Sequence, residues 1–307
     1  MGKFLHDVLE LPERSQKPRK SGLTILIVPP SSEGVPAPVK ALADYVDKVK
    51  FTVQCLWVEE DLMARNIKEY RDLGIDVQIG GVPYELAIVQ GKQRQFLEKM
   101  KSLGVNMIEV ESHAVGLSLD TMKAEVSRLK EIGFQVVGEV GAKWVEKDET
   151  REVQDRVLVD RVIHKMRALL DAGADYVYWE GMVVRSLIGN QLENKAGQKQ
   201  LLEVAKTIGP ERILFEIWDA RSGGNSQLWG WLVNQFGPDV NIGNVAVTEI
   251  GRLECARRGC IYDPAHPYLR WLSEGRPTTA WWRIPSPDYS VDIQVPPVWR
   301  HTAVDKA

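Results

Sequence analysis

Leu119-Asp-Thr-Met-Lys-Ala-Glu-Val-Ser-Arg-Leu-Lys-Glu-Ile132, then Gly133, then Gln135-Val-Val-Gly-Glu-Val140 is the stretch on which the fold turns. Met122, Val126, Leu129 and Ile132 fall on one stripe at helical spacing. Gly133 follows as a stop signal, because glycine takes the left-handed conformation that closes a last helical turn. The run after it is short and rich in valine, as expected of a strand covered on both faces.

The same unit repeats in both directions. Strands are predicted at 23–28, 49–53, 77–79, 107–110, 135–140, 176–179, 213–217 and 245–247. Between them lie amphipathic segments such as 93–103, where Phe96, Met100 and Leu103 share a face. Gly74, Gly104, Gly173 and Gly209 close further helices just ahead of strands. Eight such units over about 240 residues match the usual size of a (β/α)8 barrel, an α/β fold. An open doubly wound sheet needs a glycine-rich turn after its first strand, and here Val28 runs into Pro29-Pro30-Ser31-Ser32.

The ends differ from this core. Residues 1–22 form a basic arm, 23–260 the barrel and 261–307 an extension containing Trp271, Trp281, Trp282 and Trp299. Tryptophans are costly to leave in water, so the extension is expected to pack on the barrel or on a neighbouring copy in a homo-oligomer. With 39 Lys and Arg against 42 Asp and Glu, the net charge of -3 gives no reason to expect nucleic acid or an anionic membrane as partner. No apolar run approaches the ~20 residues of a membrane span. Charges interrupt the first apolar stretch, unlike a secretory signal, and Cys55, Cys255 and Cys260 suit no disulfide framework. A cytoplasmic setting is expected.

A barrel of this kind works at the C-terminal ends of its strands. There the sequence places Lys50, then Gly80-Gly81 and Glu85, then Glu109, Glu111 and His113, then Glu139 and Lys143. Glu180, Glu216 and Asn244 follow at the last three strands. Several carboxylates converging on one mouth need cations. Lys50, Lys143, Arg185 and Arg221 are candidates, and so is a metal; oxygen ligands alone suit Mg²⁺ or Mn²⁺. A Glu–Lys salt bridge inside the barrel would account for such a pair equally well. Glu109 and Glu111 are expected to face apart, one towards the mouth and one towards the helices. Gly80-Gly81 reads as a tight turn, and His164 as a structural residue in mid-helix. Arg221, Ser222, Gly223 and Gly224 precede a helix after strand seven, where barrels often cradle an anion, with Arg185 and Asn244 nearby.

Gly80-Gly81-Val82-Pro83-Tyr84-Glu85, Ile108-Glu109-Val110 and Gly138-Glu139-Val140-Gly141-Ala142-Lys143 resemble the phosphosulfolactate synthase family. So do Asp171-Ala172-Gly173-Ala174-Asp175-Tyr176-Val177, Glu180-Gly181, Phe215-Glu216 and Asn244-Val245-Ala246. The resemblance runs in order over about residues 22–260. It implies a (β/α)8 barrel that adds sulfite to phosphoenolpyruvate, a small anionic substrate, with Mg²⁺. It also reaches plant heat-stress-associated relatives. On this reading Lys143, Glu139, Lys50 and His113 are catalytic, with Lys143 as the proton donor. Glu180, Glu216 and Glu111 hold the metal. Arg221, Ser222, Gly223, Gly224, Arg185 and Asn244 bind substrate. The chain departs from the family pattern at Val28, Val82, Glu111-Ser112-His113, Met182 and Ile217-Trp218. A related reaction on an unphosphorylated acid, or a barrel without enzymatic activity, are the alternatives those positions raise.

Overall fold

The structure, a computed structural model, describes residues 3–141, 158–217, 225–260, 267–276 and 280–283. Its strands are β1 Thr24–Ile27, β2 Lys48–Phe51, β3 Asp76–Ile79, β4 Met107–Val110, β5 Gln135–Val140, β6 Tyr176–Trp179, β7 Ile213–Glu216 and β8 Asn241–Ala246. They pair in sequence order, and β1 closes on β8 in one parallel barrel. The helices are α1 Ala37–Ala41, α2 Glu60–Asp72, α3 Gly81–Val89, α4 Gln93–Leu103, α5 Leu119–Glu131, α6 Val159–Asp171, α7 Gly181–Ile188, α8 Lys195–Ile208, α9 Asn225–Phe236, α10 Ile250–Arg257 and α11 Pro267–Ser273. The chain is a (β/α)8 barrel.

Each strand presents alternate residues to two different environments. Leu26, Val49, Val77, Ile108, Val136, Val177, Phe215 and Ile242 join the helices in one apolar layer. Leu23, Ile25, Met107, Val137, Tyr178 and Leu214 form a separate cluster inside the barrel. Near the amino ends of the strands the interior turns polar: the Lys48 ammonium donates to Asp76 Oδ2 at 2.9 Å and to Gln135 Oε1 at 2.7 Å. At the carboxyl ends it turns polar again, and there the candidate site sits.

The eighth strand starts four residues earlier than its sequence suggests. Asn241, Gly243 and Asn244 interrupt the apolar pattern, yet Asn241 is fully buried. Its Oδ1 accepts from Leu23 N at 3.0 Å and so pins β8 to the start of β1.

The arm at the start of the chain packs against the amino-end face. The buried Arg14 donates to Glu254 at 3.2 Å, to Asp239 at 3.0 Å and to Gly22 O at 2.9 Å. In the extension, Trp281 is buried and Trp271 and Trp282 are half-buried. Trp282 O accepts from Asn234 on α9 at 2.7 Å, and Tyr268 donates to Glu10 O at 3.2 Å, so this part rests on its own barrel and arm. Trp299 lies outside the described residues. Among the described residues no helix is long and apolar enough to cross a membrane.

Candidate active site

Lys50, on β2, is a fixed positive charge at the mouth. It is buried, with its ammonium 2.9 Å from Glu216 Oε1 and 3.0 Å from Glu109 Oε2. It also lies 4.5 Å from the centre of the Tyr178 ring. Burial opposes its charge, but the two carboxylates outweigh that and hold the ammonium well above the usual lysine range. At neutral pH such a lysine is a lasting cation and a poor proton donor. Gln78 steadies the arrangement, donating to Glu109 Oε2 at 2.5 Å and accepting from the Tyr178 hydroxyl at 3.2 Å. Burial pushes that hydroxyl well above the usual tyrosine range, so it too stays protonated. The Tyr178 ring fits because β8 carries Gly243 opposite; a Cβ there would stand 2.6 Å from the ring.

A second group lies beside this one. His113 follows β4, with Nδ1 3.2 Å from Glu111 Oε2 and 3.5 Å from Glu139 Oε1, and Nε2 2.5 Å from Gly141 O. Both ring nitrogens face acceptors, an arrangement that an imidazolium satisfies. Glu111 has room because α3 begins with Gly81, where a Cβ would fall 2.2 Å from Glu111 Cγ. The buried Glu85 carboxylate accepts from Ala114 N at 2.9 Å and fastens the loop that carries His113. Burial raises its pKa, opposed by the backbone N–H of Ala114.

Glu109 and Glu111 both turn towards Glu139, which corrects the expectation that they face apart. Residues two apart on a strand share a face; only neighbours alternate. Two sets of ligand atoms each lie within 4.8 Å of one another: Glu111, His113 and Glu139, and Glu109, Glu139 and Glu216. Glu216 Oε2 is buried with no hydrogen-bond partner among the described residues. That donor set of hard oxygens around an orphaned acceptor fits a divalent cation of the Mg²⁺ or Mn²⁺ type.

Other candidates are placed differently. Glu180 accepts from Met182 N at 2.8 Å and Val183 N at 3.3 Å, capping α7, and belongs to neither ligand set. Arg185, one turn into α7, donates to Asn225 Oδ1 at 2.6 Å at the start of α9. Asn244 is buried near the end of β8. Lys143, Arg221, Ser222, Gly223 and Gly224 lie outside the described residues. Sequence reasoning passed over Gln78 and Tyr178 as site residues. Counting back two places from Glu180 reaches Tyr178, so strand parity held that signal.

Comparison with known proteins follows the same lines. Residues 12–263 match the family described as (2R)-phospho-3-sulfolactate synthase (ComA). The chain is 33% identical over 249 residues to a phosphosulfolactate synthase of Methanocaldococcus jannaschii, covering 78% of this chain and 91% of that one. It is 30% identical to the phosphosulfolactate synthase of Methanothermobacter thermautotrophicus, with 81% and 93% covered. With that of Bacillus subtilis it shares 25% identity over 83% and 96%.

Proposed function

Because the chain belongs to the phosphosulfolactate synthase family, we propose that it joins sulfite to phosphoenolpyruvate, as a lyase forming a carbon–sulfur bond at the carboxyl-end mouth of the barrel. The sulfur lone pair attacks the methylene carbon. The double-bond electrons move onto the carboxylate as an enediolate, and the central carbon then takes a proton. The phosphate ester stays intact.

Both substrates are anions, so a mouth ringed by glutamates admits them only when its own charge is balanced. Lys50 balances part of it, between Glu109 and Glu216. Glu216, with Glu109 and Glu139, would hold a divalent cation, which would supply positive charge to stabilise the developing enediolate. The observation that carries this reading is the buried Glu216 Oε2, which has no donor among the described residues although its twin oxygen is bound to Lys50. The proton at the central carbon needs a general acid. That role is assigned to Lys143, on the family resemblance. Arg185 and the loop Arg221-Ser222-Gly223-Gly224 are assigned to the substrate phosphate.

The test is direct. Phosphoenolpyruvate, sulfite and Mg²⁺ are mixed with the protein, following loss of the enol absorbance and the mass of the product. Turnover that needs all three components is expected. Phosphoenolpyruvate left intact in the complete mixture overturns the reading, and unphosphorylated acids then become the substrates to screen.

A further inference from the structure

The pairing of β8 with β1 is irregular at one point. Thr24 pairs with Ile242, but Leu26 pairs with Val245, so two steps along β1 answer three along β8. The surplus residue is a bulge, a device that bends a strand and re-aims a side chain, and bulges are concentrated next to active sites. Ile242 and Val245 both belong to the outer apolar layer, while Gly243 faces the Tyr178 ring. The in-and-out alternation therefore breaks at Asn244.

Asn244 itself is strained. Its φ is 57°, in the left-handed region that non-glycine residues other than Asn and Asp rarely enter. It is 6% exposed, and its Oδ1 is sealed from water with no hydrogen-bond partner among the described residues. A buried unpaired amide oxygen and a left-handed backbone are each costly. No hydrogen bond from the described residues offsets the unpaired oxygen.

The position explains the cost. Glu216 pairs with Gly243, so Asn244 stands one residue beyond the partner of the other orphaned oxygen. Two buried acceptors without donors among the described residues thus lie on adjacent strands, near their carboxyl ends. Fully ionised phosphate, carboxylate and sulfite oxygens are acceptors as well and satisfy neither. A cation satisfies both, and a neutral carbonyl oxygen beside carboxylates is a usual ligand of hard divalent ions. We infer that Asn244 Oδ1 is a ligand of the divalent cation, next to Glu216. This rests on the cation site proposed above, and it changes the role of Asn244 from substrate contact to metal ligand.

The experiment measures Mn²⁺ binding by titration calorimetry and by loss of the free-ion paramagnetic resonance signal, without substrate. The full chain, Asn244→Gly and Asn244→Asp are compared. Glycine adopts the positive φ at no steric cost, so Asn244→Gly removes the amide without disturbing the bulge. It is expected to bind Mn²⁺ about 10–100-fold more weakly. Its metal-free unfolding midpoint should be unchanged or higher, because strain and an unpaired oxygen are gone. Asn244→Asp keeps an oxygen in place and should bind at least as tightly as the parent. A parent chain that binds no Mn²⁺ overturns the cation site itself. Equal affinity in parent and Asn244→Gly leaves that site standing and overturns the role of Asn244, as does a loss in Asn244→Asp equal to that in Asn244→Gly.

Discussion

Replacing Lys50 by methionine keeps most of the side-chain volume and removes the charge between Glu109 and Glu216. At an effective dielectric of about 20, each contact near 3 Å carries about 5–6 kcal/mol before desolvation. The variant no longer desolvates an ammonium, which offsets much of that loss. It is left with two buried carboxylates facing one another, and breaking a buried pair in this way costs about 3–5 kcal/mol. At about 2 °C per kcal/mol for a chain of this size, the melting midpoint should fall by about 6–10 °C. Urea unfolding followed by tryptophan fluorescence measures the loss. The deficit should shrink on acidification from neutral pH towards about 4, since adding protons to facing carboxylates removes their mutual repulsion. Lys50→Met with Glu216→Gln should recover part of the loss, since one unpaired charge has gone. A loss below about 1 kcal/mol, the range of exposed ion pairs, would refute the reasoning.

Two further outcomes are expected. Although burial opposes its charge, the Asp76 carboxyl is held down to about 2 by the Lys48 ammonium, so its stabilisation is complete above the ordinary value of 3.8 and is lost as pH falls towards 2. Asp76→Asn should therefore flatten the acid limb of the urea-midpoint profile by about 1–2 kcal/mol, after discounting for partial exposure; an unchanged limb would show that the pair is screened out. Gly81→Ala places a methyl against Glu111 and should cost about 1–3 kcal/mol with a fall in kcat/KM. The stability cost should vanish in Gly81→Ala/Glu111→Ala, and a single variant as stable as the parent would deny the close approach.

The barrel was legible because most of its strands are compact β-branched runs bounded by glycine. β4, β5 and β6 fall at the residues their sequence indicates, 107–110, 135–140 and 176–179. β8 was harder to see because it carries its own fastening. Asn241 is polar to hold Leu23 N, and Gly243 is small to admit Tyr178, so neither looks like strand core. At the site, charge at the strand ends was visible, while partnership was not. That Lys50 bonds Glu109 and Glu216 depends on barrel closure, which brings β2, β4 and β7 to one axis. The orphaned oxygens of Glu216 and Asn244 are facts about neighbours, and a linear reading has no access to them.

The seam between β1 and β8 sets an order of events for a growing chain. Leu23 must wait for Asn241, which leaves the ribosome 218 residues later, before its backbone N–H is bound. Arg257, whose guanidinium donates to Leu23 O at 3.0 Å, comes later still. At 5–20 residues per second, the wait for Asn241 is about 10–40 s of synthesis. Throughout that interval the first strand, Thr-Ile-Leu-Ile, has one edge with no lasting neighbour. The barrel therefore cannot close during most of its translation, and its earliest-made strand is the one longest at risk of pairing with another chain.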